Sequence, residues 1–343
     1  MEIQSSIEVP ALENVSIKFH GKPGEYFRIW IVNLALTLLT LGIYSAWAKV
    51  RTKKYLYGNT EIAGSRFDYH ADPIRILKGR ILVGILFLGY SLGGKISPAI
   101  AGAFSLLFAI AVPWLIVRGL IFSLSNTSFR NIRFGFKKDY RESYNTYILA
   151  GLISGFTLGL GFPYSSFLLT RFRLDRIRFG SQFFSFKGSG KDFYKIFFTT
   201  LGVTIGASAL LFIFFLLIRE IKGSAIIGAI SIYFIFIIAP AFYRASFFNL
   251  IGMKTQLGGI RFDSRLIPLE VVWIYLSNLV ACIASLGLAI PWAIVRSFKY
   301  RVEHTLILVP AGALEKISAD AEAVNQSASA DAAVDFWDLD LGF

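Results

Sequence analysis

Residues 40 to 67, TLGIYSAWAKVRTKKYLYGNTEIAGSRF, carry the pattern that decides how this 343-residue chain is built. The stretch starts at the end of an apolar run, continues through a segment with Trp47 and Arg51, and ends in two short β-prone segments around Gly64. A residue that tolerates positive φ between two such segments is typical of a tight β-hairpin. The rest of the chain varies this unit of apolar run, basic segment and hairpin.

The composition is that of a membrane protein. Hydrophobic residues make up 55% of the chain, above the roughly 45–50% of soluble domains. Apolar runs at residues 98–117, 196–218 and 225–242 reach the length of about 18 residues or more that indicates a membrane span. The net charge is +13, and the basic residues flank the apolar runs. We therefore expect contacts with the lipid bilayer and anionic lipid headgroups, and no nucleic-acid partner.

The hairpin pattern recurs along the chain. Asn59-Thr60 is followed by Gly64, and the same spacing links three further pairs to a turn residue: Asn126-Thr127 to Asn131, Lys254-Thr255 to Gly259 and, more weakly, Asp175-Arg176 to Gly180. A fifth hairpin is split between the termini: Thr305 to Val309 supplies its first strand and Ile17 to Phe19 its second. Isolated hairpins are marginal in water and leave exposed edges, so we expect the five to close into one ring.

These spacings predict an α-helical polytopic membrane protein made of internal repeats, each a helical hairpin followed by a short cytoplasmic β-hairpin. The copies lie at residues 20–69, 70–136, 137–186, 187–264 and 265–309, and residues 15–19 complete the last. Residues 1–14 are expected to be an N-terminal extension, residues 15–310 the membrane domain, and residues 311–343 an acidic, largely disordered tail.

Long and short copies alternate. The second and fourth hold two apolar stretches each and are predicted to be membrane-spanning hairpins. The other three hold one run broken near its middle, at Thr40-Leu41-Gly42 in the first copy. Such a run either spans once or turns back as a short re-entrant hairpin. A single span would place the seven basic residues of segment 171–195 outside the cell, so the positive-inside rule favours re-entrant hairpins with both termini in the cytoplasm.

The segments TLGIYSAWAKVR at residues 40–51 and FHGKPGEYF at residues 19–27, with Asn59-Thr60, resemble the YjgN-like family of bacterial inner-membrane proteins, a family of unknown function. The resemblance covers most of residues 15–310 and extends to the acidic ending. It implies a polytopic protein of the bacterial inner membrane. The family brings no established activity, cofactor or catalytic residue.

Three groups of residues are candidates for a functional role. A W-x-x-x-R spacing predicts an interfacial collar of aromatic rings and cations. Two asparagines at similar depth in the first and fifth copies either bond helix to helix or line a polar path. Basic residues in the second strands either form a cytoplasmic ring that attracts anions or face solvent outside it. The collar is Trp47, Arg51, Trp114, Arg118, Trp292 and Arg296; the asparagines are Asn33 and Asn278; the basic residues are Lys18, Arg66, Arg133 and Arg261.

The sequence contains no motif of a known catalytic class, and its single cysteine and three histidines are scattered. We therefore expect no enzymatic activity, no cofactor and no metal site. Two hypotheses remain. The first is a channel or transporter for a small solute or ion, because internal repeats often surround a path. The second is a non-catalytic scaffold or anionic-lipid-binding protein, whose acidic and aromatic ending from Asp335 to Phe343 docks a protein partner.

Overall fold

A computed structural model of the chain describes residues 12–220, 224–310 and 312–313. The predictions for the first 11 residues and for nearly all of the acidic tail lie outside these ranges. Within them the order helix–helix–strand–strand recurs along the chain. The helices are α1 Pro23–Leu39, α2 Ser45–Gly58, α3 Pro73–Ile96, α4 Pro98–Ser125, α5 Tyr140–Phe156, α6 Phe162–Leu174, α7 Gly190–Ile218, α8 Ser224–Lys254, α9 Pro268–Ala284 and α10 Ile290–Glu303.

The strands form one closed antiparallel barrel in the order β1-β10-β9-β8-β7-β6-β5-β4-β3-β2. The predicted closure of the hairpins into a ring is therefore confirmed. The strands are β1 Leu12–Phe19, β2 Thr60–Ile62, β3 Ser65–Tyr69, β4 Thr127–Phe129, β5 Ile132–Phe136, β6 Ile177–Phe179, β7 Gln182–Phe186, β8 Thr255–Leu257, β9 Ile260–Ser264 and β10 Thr305–Pro310.

The first strand closes the barrel with a register that differs from the prediction. Its first half, from Leu12 to Ser16, pairs with β10, while Ile17 to Phe19 pair with Ile62 to Thr60 of β2. Ile17 to Phe19 are therefore not the partner of β10. The physical reason is that the second strand of each hairpin pairs with two neighbours. In β3, for example, the first residues pair with β2 of the same hairpin and the last residues pair with β4 of the next hairpin. The predicted extension of residues 1–14 is also wrong at its end, since Leu12 already belongs to β1.

The inside of the barrel is packed with apolar side chains. Alternate residues of the short strands point inward and form one cluster. Phe67 lies 4.9 Å from Phe129, and Phe134 lies 4.8 Å from Phe179, between ring centroids. The barrel is therefore a filled hydrophobic core. Its buried members are Ile62, Phe129, Ile132, Phe179, Leu257, Ile260, Ile307 and Val309.

The recurring Asn-Thr pair ends a helix and starts a strand. The Asn59 amide donates to the Tyr55 carbonyl at 2.8 Å, and the Thr60 hydroxyl donates to the Leu56 carbonyl at 2.9 Å. Asn126 and Thr127 bond to α4 in the same way. The last carbonyls of a helix have no partner within the helix, so these side chains satisfy them where the chain leaves the helix for the barrel.

The helices form a second closed ring next to the barrel, since each packs on the next in the chain and α10 packs on α1. Among the described residues, four helices are long and apolar enough to cross a membrane: α3, α4, α7 and, from Ile235 to Lys254, α8. The three short apolar runs fold back on themselves, because α1 packs on α2, α5 on α6, and α9 on α10. The breaks seen in the sequence are therefore tight turns between antiparallel helices.

These three turns are nearly identical in geometry. Each has a leucine in the left-handed conformation followed by a glycine: Leu41 at φ 49°, Leu158 at φ 50° and Leu286 at φ 53°. The preceding hydroxyl residue donates to the helix behind it and accepts the backbone N–H four residues ahead, as Thr40 does between Leu36 and Tyr44. The turn thus satisfies these backbone groups internally, while each leucine side chain is 95% exposed.

Closure of the barrel predicts a specific disulfide. Ser16 lies opposite Leu306 in the antiparallel ladder, where Cα atoms are about 4.5–5.5 Å apart, within reach of an S–S bond. In a Cys282→Ala background, Ser16→Cys with Leu306→Cys should cross-link under mild oxidation, detected by a mobility shift on a non-reducing gel. Ser16→Cys with Leu308→Cys, two residues out of register, is the matched control. Equal cross-linking of both pairs would contradict the register.

Candidate functional site

The collar arginine of the first unit is bound by the facing helix. Arg51 of α2 donates to the Asn33 side-chain oxygen at 3.4 Å and to the Tyr44 hydroxyl at 3.0 Å. Asn33 is buried, and its amide nitrogen lies 3.5 Å from the Ala48 carbonyl. Asn33 thus links the two helices of its own hairpin.

The fifth unit repeats this contact with shorter distances. Arg296 donates to the Asn278 side-chain oxygen at 3.1 Å and to the Ser277 hydroxyl at 2.6 Å. Asn278 is buried and donates to the Ser297 hydroxyl at 2.9 Å and the Ala293 carbonyl at 3.3 Å. Both asparagines therefore occupy the helix–helix contact that the sequence offered as one alternative, and their polar groups are engaged within the hairpins.

The collar tryptophans lie beside their arginines. The Arg296 guanidinium is 5.0 Å from the Trp292 ring centroid, and that of Arg118 is 5.6 Å from Trp114 and 5.9 Å from Tyr140. In the first unit Trp47 stacks on Tyr44 at 6.0 Å. The sequence predicts that these arginines extend to water at the membrane interface, and it does not reveal these contacts. The arginines are held by amide and hydroxyl groups within the hairpins and by aromatic rings of their own or the neighbouring helix.

The basic residues of the second strands lie on the outside of the barrel. Arg133 and Arg261 are exposed, and each lies beside an inward-facing isoleucine of its strand. The Arg66 guanidinium lies 3.8 Å from the carboxylate of Glu61, its cross-strand neighbour. Lys18 is not at the equivalent position of its strand, because the register of β1 places Ser16 opposite Leu306, as Arg66 is opposite Glu61. Lys18 instead flanks Glu61 on the side away from Arg66. The predicted ring is thus incomplete at Lys18, and its members face outward.

Sequence reasoning missed a cavity of about 320 Å³ between α8, α9 and α10. Two arginines from different helices stand at it, Arg244 and Arg301. The wall is mainly aromatic and aliphatic. No motif could reveal it, because its residues come from three separate segments. The lining is Arg244, Ala245, Phe247, Phe248, Ile251, Leu266, Val271, Ile274, Tyr275, Ser297, Tyr300 and Arg301.

Tyr300 lies in the cavity wall and is bound to the start of α9. Its hydroxyl donates to the Glu270 carboxylate at 2.7 Å and accepts the Ile267 N–H at 3.2 Å. Burial, together with the hydrogen bond to Glu270, raises the pKa of Tyr300 to about 12. Tyr55 of the first unit makes the equivalent contacts with Glu25 and Lys22, and burial raises its pKa to about 12 as well. Both hydroxyls therefore stay neutral at physiological pH.

Comparison with known proteins gives the family. The model of a family described as "Bacterial protein of unknown function (DUF898)" matches residues 14–336 of the chain. The chain belongs to this family. It is 35% identical over 133 residues to inner membrane protein YjgN of Salmonella typhimurium and 32% identical over 141 residues to inner membrane protein YjgN of Escherichia coli K12.

The matched segments cover 38% and 39% of this chain, and 33% of each relative. The aligned part of this chain thus corresponds to about a third of the length of these relatives. No solved structure matches the chain significantly. The family match and the relatives confirm the predicted YjgN-like membership and support an integral membrane protein.

The contacts of Asn278 predict unequal effects of two matched substitutions. Asn278→Ala removes an acceptor of Arg296 at 3.1 Å and two donated hydrogen bonds of 2.9 and 3.3 Å, whereas Asn33→Ala removes contacts of 3.4 and 3.5 Å. A hydrogen bond to a charged group contributes about 1.5–3 kcal/mol. Asn278→Ala should therefore lower the thermal unfolding midpoint in detergent by several degrees, and Asn33→Ala by less. A larger loss for Asn33→Ala would contradict this comparison.

Proposed function

We propose that this chain is a multi-pass inner-membrane protein that binds anionic lipid where its helices meet the barrel. One observation carries the choice over a channel, namely the filled barrel. Phe67, Phe129, Phe134 and Phe179 pack together in the space that an axial path would need. Removing one buried phenylalanine from such a core typically costs about 3–5 kcal/mol of stability. Separating several of these rings to open a path would therefore cost a large free energy. The geometry supports lipid binding better than conduction.

The proposal includes a topology of internal repeats with two spanning and three re-entrant hairpins. At 1.5 Å per residue, the long helices of 24 to 31 residues are about 36–46 Å long. The first helices of the short hairpins, with 17 residues each, are about 25 Å long. A hydrocarbon core is about 30 Å thick. The long hairpins can cross it, whereas the short ones end inside it.

The turns of the short hairpins suit that position. A loop in hydrocarbon must satisfy its own backbone groups, and these turns do so through Thr40, Thr157 and Ser285. In water, three leucines exposed to 95% would be unfavourable, whereas in lipid the same exposure is favourable. The turns thus support a re-entrant arrangement.

Charge supports the orientation. Among the described residues, the ends of the long hairpins that point away from the barrel carry Lys95, Arg219 and Glu220, whereas segment 171–195, around β6 and β7, alone carries seven bases. The positive-inside rule then favours a cytoplasmic position for the barrel and both termini. The same bases lie where anionic headgroups would meet the protein.

A transporter is the second candidate, and the observation in its favour is the closed ring of helices. A transported solute would have to leave the ring sideways above the filled barrel. Asn33 and Asn278, the candidates for a polar path, accept hydrogen bonds from Arg51 and Arg296. Docking of a protein partner by the ending from Asp335 to Phe343 stays a prediction from the sequence, as does the lack of enzymatic activity.

Thiol labelling tests the topology. In a Cys282→Ala background, a membrane-impermeant maleimide should label Lys95→Cys in intact cells and Lys187→Cys only after the membrane is permeabilised. Leu286→Cys should resist labelling in both conditions, because its turn would lie in hydrocarbon. Lys95 and Lys187 are both exposed, so they form a matched pair. Labelling of Leu286→Cys in intact cells would show instead that the short hairpin reaches the outer surface.

Lipid selectivity tests the function. Full-length protein in nanodiscs should retain phosphatidylglycerol over phosphatidylcholine by roughly tenfold in native mass spectrometry, and the preference should weaken as salt screens exposed charges. In proteoliposomes of the same lipids, a screen of ions and small solutes should give no flux above empty vesicles. Equal retention of both lipids would refute lipid binding, and solute-specific flux would favour the transporter.

A further inference from the structure

We propose that the cavity between α8, α9 and α10 is a binding site for one anionic amphiphile, a lipid whose headgroup carries phosphate. This inference rests on the proposed function and gives it a specific site. The cavity, at about 320 Å³, lies within the range of roughly 300–1,000 Å³ that accommodates small organic ligands. It can take a headgroup with the first part of an acyl chain.

The cavity lining combines cationic and apolar groups, as an amphiphile requires. Arg244 of α8 and Arg301 of α10 supply two guanidinium groups from different helices. Phe247, Ile251 and Ile274 supply an apolar wall. Guanidinium groups bind phosphate through paired N–H donors, and the apolar wall favours hydrocarbon over a free ion.

Arg244 lies where the apolar part of α8 ends. It comes two residues after the apolar run of residues 225–242 and is exposed, and no carboxylate of the described residues forms an ion pair with it. A cation at the end of a spanning segment lies at the level of the lipid headgroups. Here the cavity is present, and an anionic ligand would supply the missing countercharge.

The lining of the cavity contains two arginines and no acidic residue. Glu270 is not part of the lining and accepts the Tyr300 hydroxyl. Among the described contacts, Arg301 donates to the Ser297 carbonyl of its own helix at 3.4 Å and lies 5.9 Å from the Phe298 ring centroid. The lining therefore has a net positive charge, which favours an anionic ligand over a zwitterionic or neutral one.

The surroundings give a lipid access. α8 has 31 residues and stands beside the short hairpin of α9 and α10, which have 17 and 14. On the described part of α8, Phe236 is 72% exposed. A lipid chain can lie along this step while its headgroup reaches the arginines.

The test uses full-length protein in nanodiscs with phosphatidylglycerol and native mass spectrometry. Wild-type protein should retain one tightly bound phosphatidylglycerol. Arg244→Gln and, independently, Arg301→Gln should each weaken its retention about tenfold or more, the loss expected for a charge-assisted contact. Arg28→Gln removes an exposed arginine near the start of α1, outside the cavity, and should leave retention unchanged. Arg301→Gln keeps the test decisive if Arg244→Gln does not fold.

The outcomes separate this inference from the proposed function. A general preference for anionic lipid that survives in both cavity variants would overturn the cavity site and leave the proposed function standing. Equal retention of phosphatidylcholine by wild-type protein would overturn both. Inorganic phosphate should not displace the retained lipid; displacement by phosphate alone would show an ion site and would overturn the assignment to an amphiphile.

Discussion

Closure of the barrel by β1 is the constraint on which the rest of the structure depends. The four hairpins and β10 would leave two unpaired edges, and β1 removes both by pairing with β10 and β2. The closed barrel encloses its own apolar core. It also sets the spacing of the helices, because each hairpin strand joins directly to a helix, and smaller clusters of buried side chains fill the junctions between successive units. The helical ring is thus organised from the barrel.

Much of this architecture could be predicted from the sequence, because it depends on local patterns. Turn residues at fixed spacing identified the hairpins, and apolar run lengths identified the long helices. The register of β1 could not be predicted, since the Ile17-Lys18-Phe19 motif fits a second strand at either of two offsets. Only the pairing with Thr60 to Ile62 decides between them. A three-residue motif contains too little information to choose an offset along a strand.

The sequence identified some residues of the candidate site but not the contacts between them. Asn278 and Arg296 were each singled out, but their contact joins residues 18 positions apart on two antiparallel helices, and their distance depends on where the turn at Leu286 falls. The cavity could not be predicted, because Arg244, Ile274 and Arg301 come from three helices and follow no recognisable sequence spacing. Arg51 and Arg296 are engaged by polar groups of their hairpins, whereas no carboxylate of the described residues pairs with Arg244, so Arg244 stands out only once the contacts are known.

The split fifth hairpin has a consequence for biosynthesis. β1 precedes all ten described helices and β10 follows them, so the barrel can close only after every helical hairpin has been translated. Helical hairpins can enter the membrane one after another during translation, while the growing sheet keeps a free edge exposed to other chains. Barrel closure therefore distinguishes a chain translated through β10 from one terminated before it. Incomplete chains would display open β-edges, a feature that proteolytic quality control can detect.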